Sequence, residues 1–267
     1  MIRRLFEALY GNAYLLLSLT ALFWAGNFVV GRGVHGHVPP IALAWCRWVL
    51  ATLIVLPFAW PHLKRDWPAI RANWPVLALL GISGAGLFNT LSYSSLNYTT
   101  ALNALVLQSS GPVLIMLTTF LLFGDRIRPV QGLGVAISLT GVLAMVARGD
   151  LAALASLQLN KGDIGLLLAM MTWAVYAAFL RKRPDIHWLS FVAVTFTVAI
   201  LFNTPLFVAE HLSGWQIQTT RQTLLAVAYV SIFPGLLAYI CFNRGVELIG
   251  ANRAGVFMHL VPFFGAA

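Results

Sequence analysis

Apolar residues in this chain come in long runs separated by short polar punctuation: 14 to 33, 40 to 60, 74 to 96, 101 to 123, 129 to 147, 163 to 180, 187 to 209, 222 to 243, and 252 to the end. An α-helix needs about 20 apolar residues to cross the hydrocarbon core of a bilayer, so the pattern predicts nine membrane-spanning helices. Away from the run ends, the one charged interruption is Arg47, midway into the second run. The basic start Met1-Ile-Arg-Arg ahead of the first run has the look of a secretory leader. That run continues through Phe23-Trp24, past the roughly 7 to 15 apolar residues of a signal segment, and reads as an uncleaved first helix.

The runs repeat. Ala101-x-x-Ala104 followed by Pro112 returns as Ala251-x-x-Ala254 followed by Pro262, an offset of 150. Trp24 and Trp173 lie 149 apart, Pro57 and Pro205 148, and Gly86 and Gly235 149. A near-constant offset across four separate segments implies two homologous halves, 1–148 with helices 1 to 5 and 162–267 with helices 6 to 9. The first half holds an odd number of spans, so the second copy begins on the opposite face and runs inverted. Inverted repeats are a common plan of secondary transporters, with the substrate site near the midplane where the halves meet.

Composition supports the membrane reading and changes the meaning of the charge. Hydrophobic residues make up 60% of the chain and charged ones 9%, against about 25% charged in a soluble domain. The net charge of +9 would suggest a polyanion partner, but the basic residues alternate by loop. With the N-terminus inside, 12 of them (Arg3, Arg4, Lys64, Arg65, Arg71, Arg126, Arg128, Arg181, Lys182, Arg183, Arg244, Arg253) fall on the cytoplasmic side and 4 (Arg32, Arg148, Lys161, Arg221) on the other. That is the positive-inside bias. It orients a multi-pass protein of the cell membrane, expected to be a bacterial inner membrane, with the N-terminus cytoplasmic, and it excludes a nucleic-acid partner. Cys46 and Cys241 sit inside apolar runs and behave as small apolar residues, with no disulfide or metal chemistry indicated.

Leu22-Phe-Trp-Ala-Gly-Asn27, Arg47, the stretch from Ala101-x-x-Ala104 through Pro112 to Leu122-Phe-Gly-Asp125, and the second copy from Ala251 together resemble the EamA-type branch of the drug/metabolite transporter superfamily. The likeness covers essentially the whole chain. It implies an all-α integral membrane protein in which two inverted five-helix repeats form a ten-helix bundle, and export of amino acids or other small metabolites. Here the pattern yields nine spans. The partner of 129–147 would fall near 279–297, and the last run, 16 residues and about 24 Å long, is short of the roughly 30 Å core, so the chain reads as lacking a tenth helix.

Candidate substrate contacts are the polar and aromatic residues within the spans, because such groups turn toward the bundle interior or a cavity. Asn89 and Tyr93, one helical turn apart, become Tyr239 and Asn243 at the offset of 150, the same two residue types in exchanged order. Asn27 maps to Tyr176, beside the Trp24 and Trp173 pair. Tyr and Trp offer apolar area with one hydrogen-bonding tip and Asn can donate and accept, which suits a neutral or zwitterionic metabolite; helix packing would use the same residues. Gln108 and His259 are further candidates, His259 being the counterpart of Ser109. Arg47 could meet a substrate carboxylate, snorkel, or bind backbone carbonyls, and the resemblance leans toward a structural role.

The acids Asp125, Asp150, Asp163, Asp185, Glu210 and Glu247 fall at or near span ends, which leaves no buried carboxylate relay and makes a facilitator the simplest mechanism. Alternating access would draw on kinks at Pro112, Pro262 and the glycine-rich helices. No cofactor is called for: His35-x-His37 lacks a third ligand nearby, and the paired carboxylates a membrane enzyme would use are missing. The expected partners are a small-molecule substrate and the lipid bilayer. A lipid-carrier flippase is the rival within transport, kept alive by Arg47.

Overall fold

The computed structural model describes residues 10–34, 36–99, 101–126, 129–147 and 160–266. Arg3, Arg4, His35, Arg128, Arg148 and Asp150 of the readings above lie outside them. Every regular element among the described residues is a helix: α1 Ala13–Gly33, α2 Pro40–Ala72, α3 Trp74–Ser95, α4 Ala101–Gln108, α5 Gly111–Phe123, α6 Pro129–Ala147, α7 Lys161–Lys182, α8 Trp188–Leu212, α9 Arg221–Ile249, α10 Ala251–Val256 and α11 Leu260–Ala266. Six of these, α1, α2, α3, α7, α8 and α9, are long and apolar enough to cross a membrane.

Helix ends follow local chemistry. Asn12 Oδ1 accepts the Leu15 N–H ahead of α1, and the Thr220 hydroxyl accepts that of Thr223 at the start of α9. Asn160 and Asp163 form a reciprocal capping box on α7, which satisfies donors that the first turn otherwise leaves open. Gly124, at φ 68°, and Gly250, at φ 82°, end α5 and α9 in backbone that only glycine adopts at little cost.

Three apolar runs differ in extent or continuity from the sequence pattern, and two further helices differ in winding. The second run was expected to stop near residue 60, yet α2 continues for 33 residues with Pro57, Pro61 and Pro68 inside it. The run 101 to 123 is two helices, α4 and α5, parted at Ser109 and Ser110 just before Pro112, whose missing N–H is harmless in a first turn. The last run breaks likewise, α10 giving way to a 3₁₀ turn at Phe257–His259 before α11. Finally, α3 and α9 each contain a seven-residue π-helical stretch, Gly81–Leu87 and Ser231–Leu237. The two stretches are 150 residues apart, so the repeat extends to an irregularity of the backbone.

Packing is crosswise. α1 lies against α9 and α7 against α3, so the first long helix of each half embraces the third long helix of the other, while α2 and α8 form the most extensive contact in the bundle. Carboxylates seal both ends of that last pair. Glu210 accepts the backbone N–H groups of Ile41 and Ala42 at 3.1 and 2.7 Å, and Asp66 accepts that of His187 at 2.8 Å. The core fills with small and aromatic residues, among them Trp48, Trp173, Phe196 and Ala174, while Leu53, Phe58, Leu121, Leu201 and Leu224 are exposed on the flanks. A soluble surface would not carry so much apolar area; lipid is its solvent.

Candidate functional site

Nine of the eleven candidate residues form one continuous buried seam. Arg47, 1% exposed, stands at its middle. Its Nη1 reaches Asn27 Oδ1 at 3.1 Å, Asn89 Oδ1 at 2.7 Å and the Tyr93 hydroxyl at 2.9 Å, and Nη2 donates to the Pro234 carbonyl at 2.7 Å. The guanidinium also lies 4.7 Å from the centre of the Trp48 ring. No carboxylate forms an ion pair with it among the described residues. The charge is instead spread over neutral acceptors, a costly burial made tolerable by hydrogen bonds.

The Asn and Tyr exchange has a geometric meaning. The Tyr93 hydroxyl donates to Asn27 Oδ1 at 2.6 Å, joining α3 to α1, and the Tyr176 hydroxyl donates to Asn243 Oδ1, joining α7 to α9. Each is a helix-to-helix Tyr–Asn bond at homologous positions, with donor and acceptor on opposite members. Two further pairs of homologous residues touch each other directly: Asn89 Nδ2 donates to the Tyr239 hydroxyl at 3.3 Å, and the Trp24 and Trp173 rings meet edge-on at 4.8 Å. Trp173 also packs on Phe88, Tyr176, Tyr239 and Phe242.

The π stretches supply carbonyls to this seam. Tyr239 donates its hydroxyl to Gly84 O, and Arg47 donates to Pro234 O; Gly84 and Pro234 are themselves 150 apart. The Trp48 indole N–H reaches Ala85 O at 2.9 Å. Widening the helix turns carbonyls outward, and polar side chains from neighbouring helices take them up. Nothing in residue type marks these stretches, although the glycines at 81, 84 and 86 hint at close approach: a Cβ on Gly84 would overlap the Tyr176 ring.

Gln108 and His259 stand apart from the seam. Both are buried, and neither side chain has a hydrogen-bond partner among the described residues; the Trp173 indole N–H is likewise unpaired. A cavity of about 540 Å³ opens between α5, α7, α9 and α10, lined by Thr119, Arg181, Arg183, Asn243, Glu247 and Asn252 among others. Of the eleven candidates, Asn243 alone is in its wall. The expected common lining of one open pocket is therefore not what this conformation presents, because the side chains satisfy one another. Asp125 pairs with Arg181 at 2.9 Å at the mouth, and Glu247 with Arg183 at 3.6 Å and Arg244 at 2.9 Å.

The opposite end is stitched shut. Asp163, 1% exposed, accepts from the Thr99 hydroxyl and, at 3.2 Å, from Asn103 Nδ2, tying α7 to α4 and to the turn before it. Asp163 stands at a span end as the sequence pattern has it, and the capping box draws its carboxylate inward to bond backbone; Asp66 is buried where it accepts the His187 N–H. The Thr90 hydroxyl donating to Asn203 Oδ1 at 2.8 Å is a further buried link that the sequence reading passed over. A polar pair inside two apolar runs was its available signal.

Comparison with known proteins places this geometry in context. The model of the EamA-like transporter family matches residues 11–147 and 160–267. The chain is 25% identical to the uncharacterized transporter YyaM of Bacillus subtilis, over 94% of this chain and 83% of that protein. It is 29% identical to an uncharacterized transporter of Archaeoglobus fulgidus, over 96% and 87%. A protein of Salmonella typhimurium named "Probable amino-acid metabolite efflux pump" is 24% identical over 94% and 84%. One solved crystal structure superposes with a TM-score of 0.72 at 20% identity, over 95% of this chain and 85% of that one, a likeness of fold.

Proposed function

Because the chain belongs to the EamA-like transporter family, a family of membrane transporters and not of enzymes, we propose that it moves a small neutral or zwitterionic metabolite, of the amino-acid class, by alternating access around the Asn–Tyr–Trp seam. The observation that carries this reading is the meeting of homologous residues, Trp24 with Trp173 and Asn89 with Tyr239, at the centre of the bundle. A pseudo-two-fold axis in the membrane plane passes between them, and an inverted transporter binds its substrate near such an axis. The division at 1–148 and 162–267, with nine spans, is the matching architecture. The Trp173 indole N–H, unpaired within the seam among the described residues, is then a hydrogen-bonding group that a substrate fills, since a buried polar group without a partner costs about 1–3 kcal/mol.

In this proposal the conformation is open toward the Arg181 end, where the cavity reaches Asn243, and closed at the Asp163 end. The positive-inside count makes the Arg181 end cytoplasmic. The two π stretches are the hinges, beside the breaks at Pro112 and before Pro262, because their carbonyls can exchange partners as α1 with α9 and α7 with α3 slide. Arg47 holds one hinge from the other half and acts as a staple rather than as the substrate's counter-charge, its Nη1 and Nη2 being bonded to protein while Nε has no partner among the described residues. Movement down a gradient needs no relay, and the Salmonella relative's printed name supports export as the direction.

The test is a vesicle flux screen of amino acids against a lipid-linked sugar, with the wild-type chain and Trp173→Ala. Amino-acid flux with an altered preference in Trp173→Ala is the expected result. Flux of the lipid-linked sugar alone would install the flippase reading, and an unchanged profile from a stable Trp173→Ala protein would remove the seam from substrate recognition.

A further inference from the structure

We propose that the groove between α1 and α9, at the end of the bundle opposite Arg181, is a binding site for one anionic phospholipid, with an acyl chain in the groove and the phosphate on Arg221. The site lies on the outer side of α1 and α9 and does not rest on the transport reading. The groove measures about 960 Å³ and is walled by Val29, Val30 and Val34 of α1 and Leu225, Ala228 and Phe233 of α9. It opens sideways, for Val29 and Leu225 are each about three-fifths exposed. The two helices touch deeper in the bundle, where Tyr229 closes on Gly26. They touch again at the mouth, where Gln222 Nε2 donates to Gly33 O at 3.1 Å. Between these two points the groove lies open on its outer side, where Val29 and Leu225 are uncovered among the described residues. An apolar gap in hydrocarbon forfeits the dispersion contacts of its lining, and a lipid chain is the apolar material a bilayer supplies.

Charge selects the headgroup. Arg221 opens α9, lines the mouth of the groove and has no ion-pair partner among the described residues. The described acids at the same end are engaged: Glu210 with the N–H groups of Ile41 and Ala42, Asp163 with Thr99 and Asn103. A phosphate therefore meets a guanidinium, which it can bond in bidentate fashion, while a choline or ethanolamine cation meets no available carboxylate among the described residues. The first-turn N–H groups of α9 add a favourable field for negative charge.

Native mass spectrometry of the delipidated full chain, titrated with phosphatidylglycerol or phosphatidylcholine of identical chains, tests the site. The expected result is one retained phosphatidylglycerol, bound roughly five- to tenfold more tightly than phosphatidylcholine, as one interfacial arginine allows. Arg221→Gln should erase that preference while leaving the chain-dependent binding in place. Gly33→Leu should abolish retention of both lipids without loss of thermal stability, since Gly33 lines the groove and a Cβ there meets no atom within 4 Å. Equal binding of the two lipids by the wild type, undiminished retention by Gly33→Leu, or a second copy of the chain covering the groove in the same spectra would each overturn the proposal.

Discussion

Tyr93 carries two bonds through one oxygen: it donates to Asn27 and accepts from Arg47. Tyr176 carries one, to Asn243. Removing the hydroxyl by Tyr93→Phe therefore takes one bond from the Asn27 amide oxygen and one from the Arg47 guanidinium, each of which keeps another partner, and should cost about 2 kcal/mol, whereas Tyr176→Phe should cost about 1 kcal/mol. Thermal denaturation in detergent, compared for the two variants, checks the order. A larger loss for Tyr176→Phe would mean that Arg47 finds another acceptor. Asp163→Asn keeps the shape of the capping box but weakens every bond the carboxylate accepts, and should lower stability by about 1–2 kcal/mol in the same measurement.

Among the helices, α3 and α9 decide how the halves fit, because their π stretches bring backbone within reach of side chains from the opposite half. Gly84→Ala places a methyl group where the Tyr176 ring lies. The ring must move and the Tyr176–Asn243 bond with it, an overpacking cost of about 1–3 kcal/mol; a crystal structure or thermal scan of the variant would reveal a displaced Tyr176. The α2–α8 pair carries a pH response at the Arg181 end. The His62 and His187 rings stack at 3.6 Å, and burial, then the charges of His62 and Arg65, hold the His187 ring below its usual pKa, with Asp66 opposing. A histidine depressed in the folded state takes up protons more readily when unfolded, so stability is full above about pH 6.5 and is lost as pH falls through that value. Melting temperature should fall between pH 7.5 and 5.5, and His62→Gln should blunt the fall.

For the whole molecule, the direction of the chain ties orientation to a single measurement. α7 runs from Lys161 to Lys182, 22 residues or about 33 Å, so the loops at its two ends lie on opposite faces of any bilayer it crosses. In a background with Cys46 and Cys241 replaced by Ala, a cysteine at Asp185 should be labelled from the cytoplasm and one at Asn160 from outside. Labelling of both from one side would overturn the orientation. Because the open cavity lies at the Arg181 end and the sealed Asp163 contacts at the other, the same labels read at positions lining the cavity also report which conformation predominates in a membrane.

The membrane class, the repeat and its offset of 150, and the exchanged Asn and Tyr positions were legible in the sequence, since each depends on residue type at a spacing. Apolar run length answers to bilayer thickness, and homologous halves keep their registers. What the sequence could not decide was which partners those residues take. Asn89 meets its own counterpart Tyr239, Asn27 meets Tyr93 across two helices, and Arg47 reaches a carbonyl 187 residues away; these contacts join α3 to α9, α1 to α3 and α2 to α9, and exist only once those helices have packed together. The π stretches escaped for the same reason. A helix widens where crossing helices offer donors to the carbonyls it frees, a condition set by tertiary packing that no local periodicity records. Asp163 shows the limit from the other side: the sequence placed it at a span end, and only the packing of α4 and the turn before it gave its buried capping box two side-chain donors.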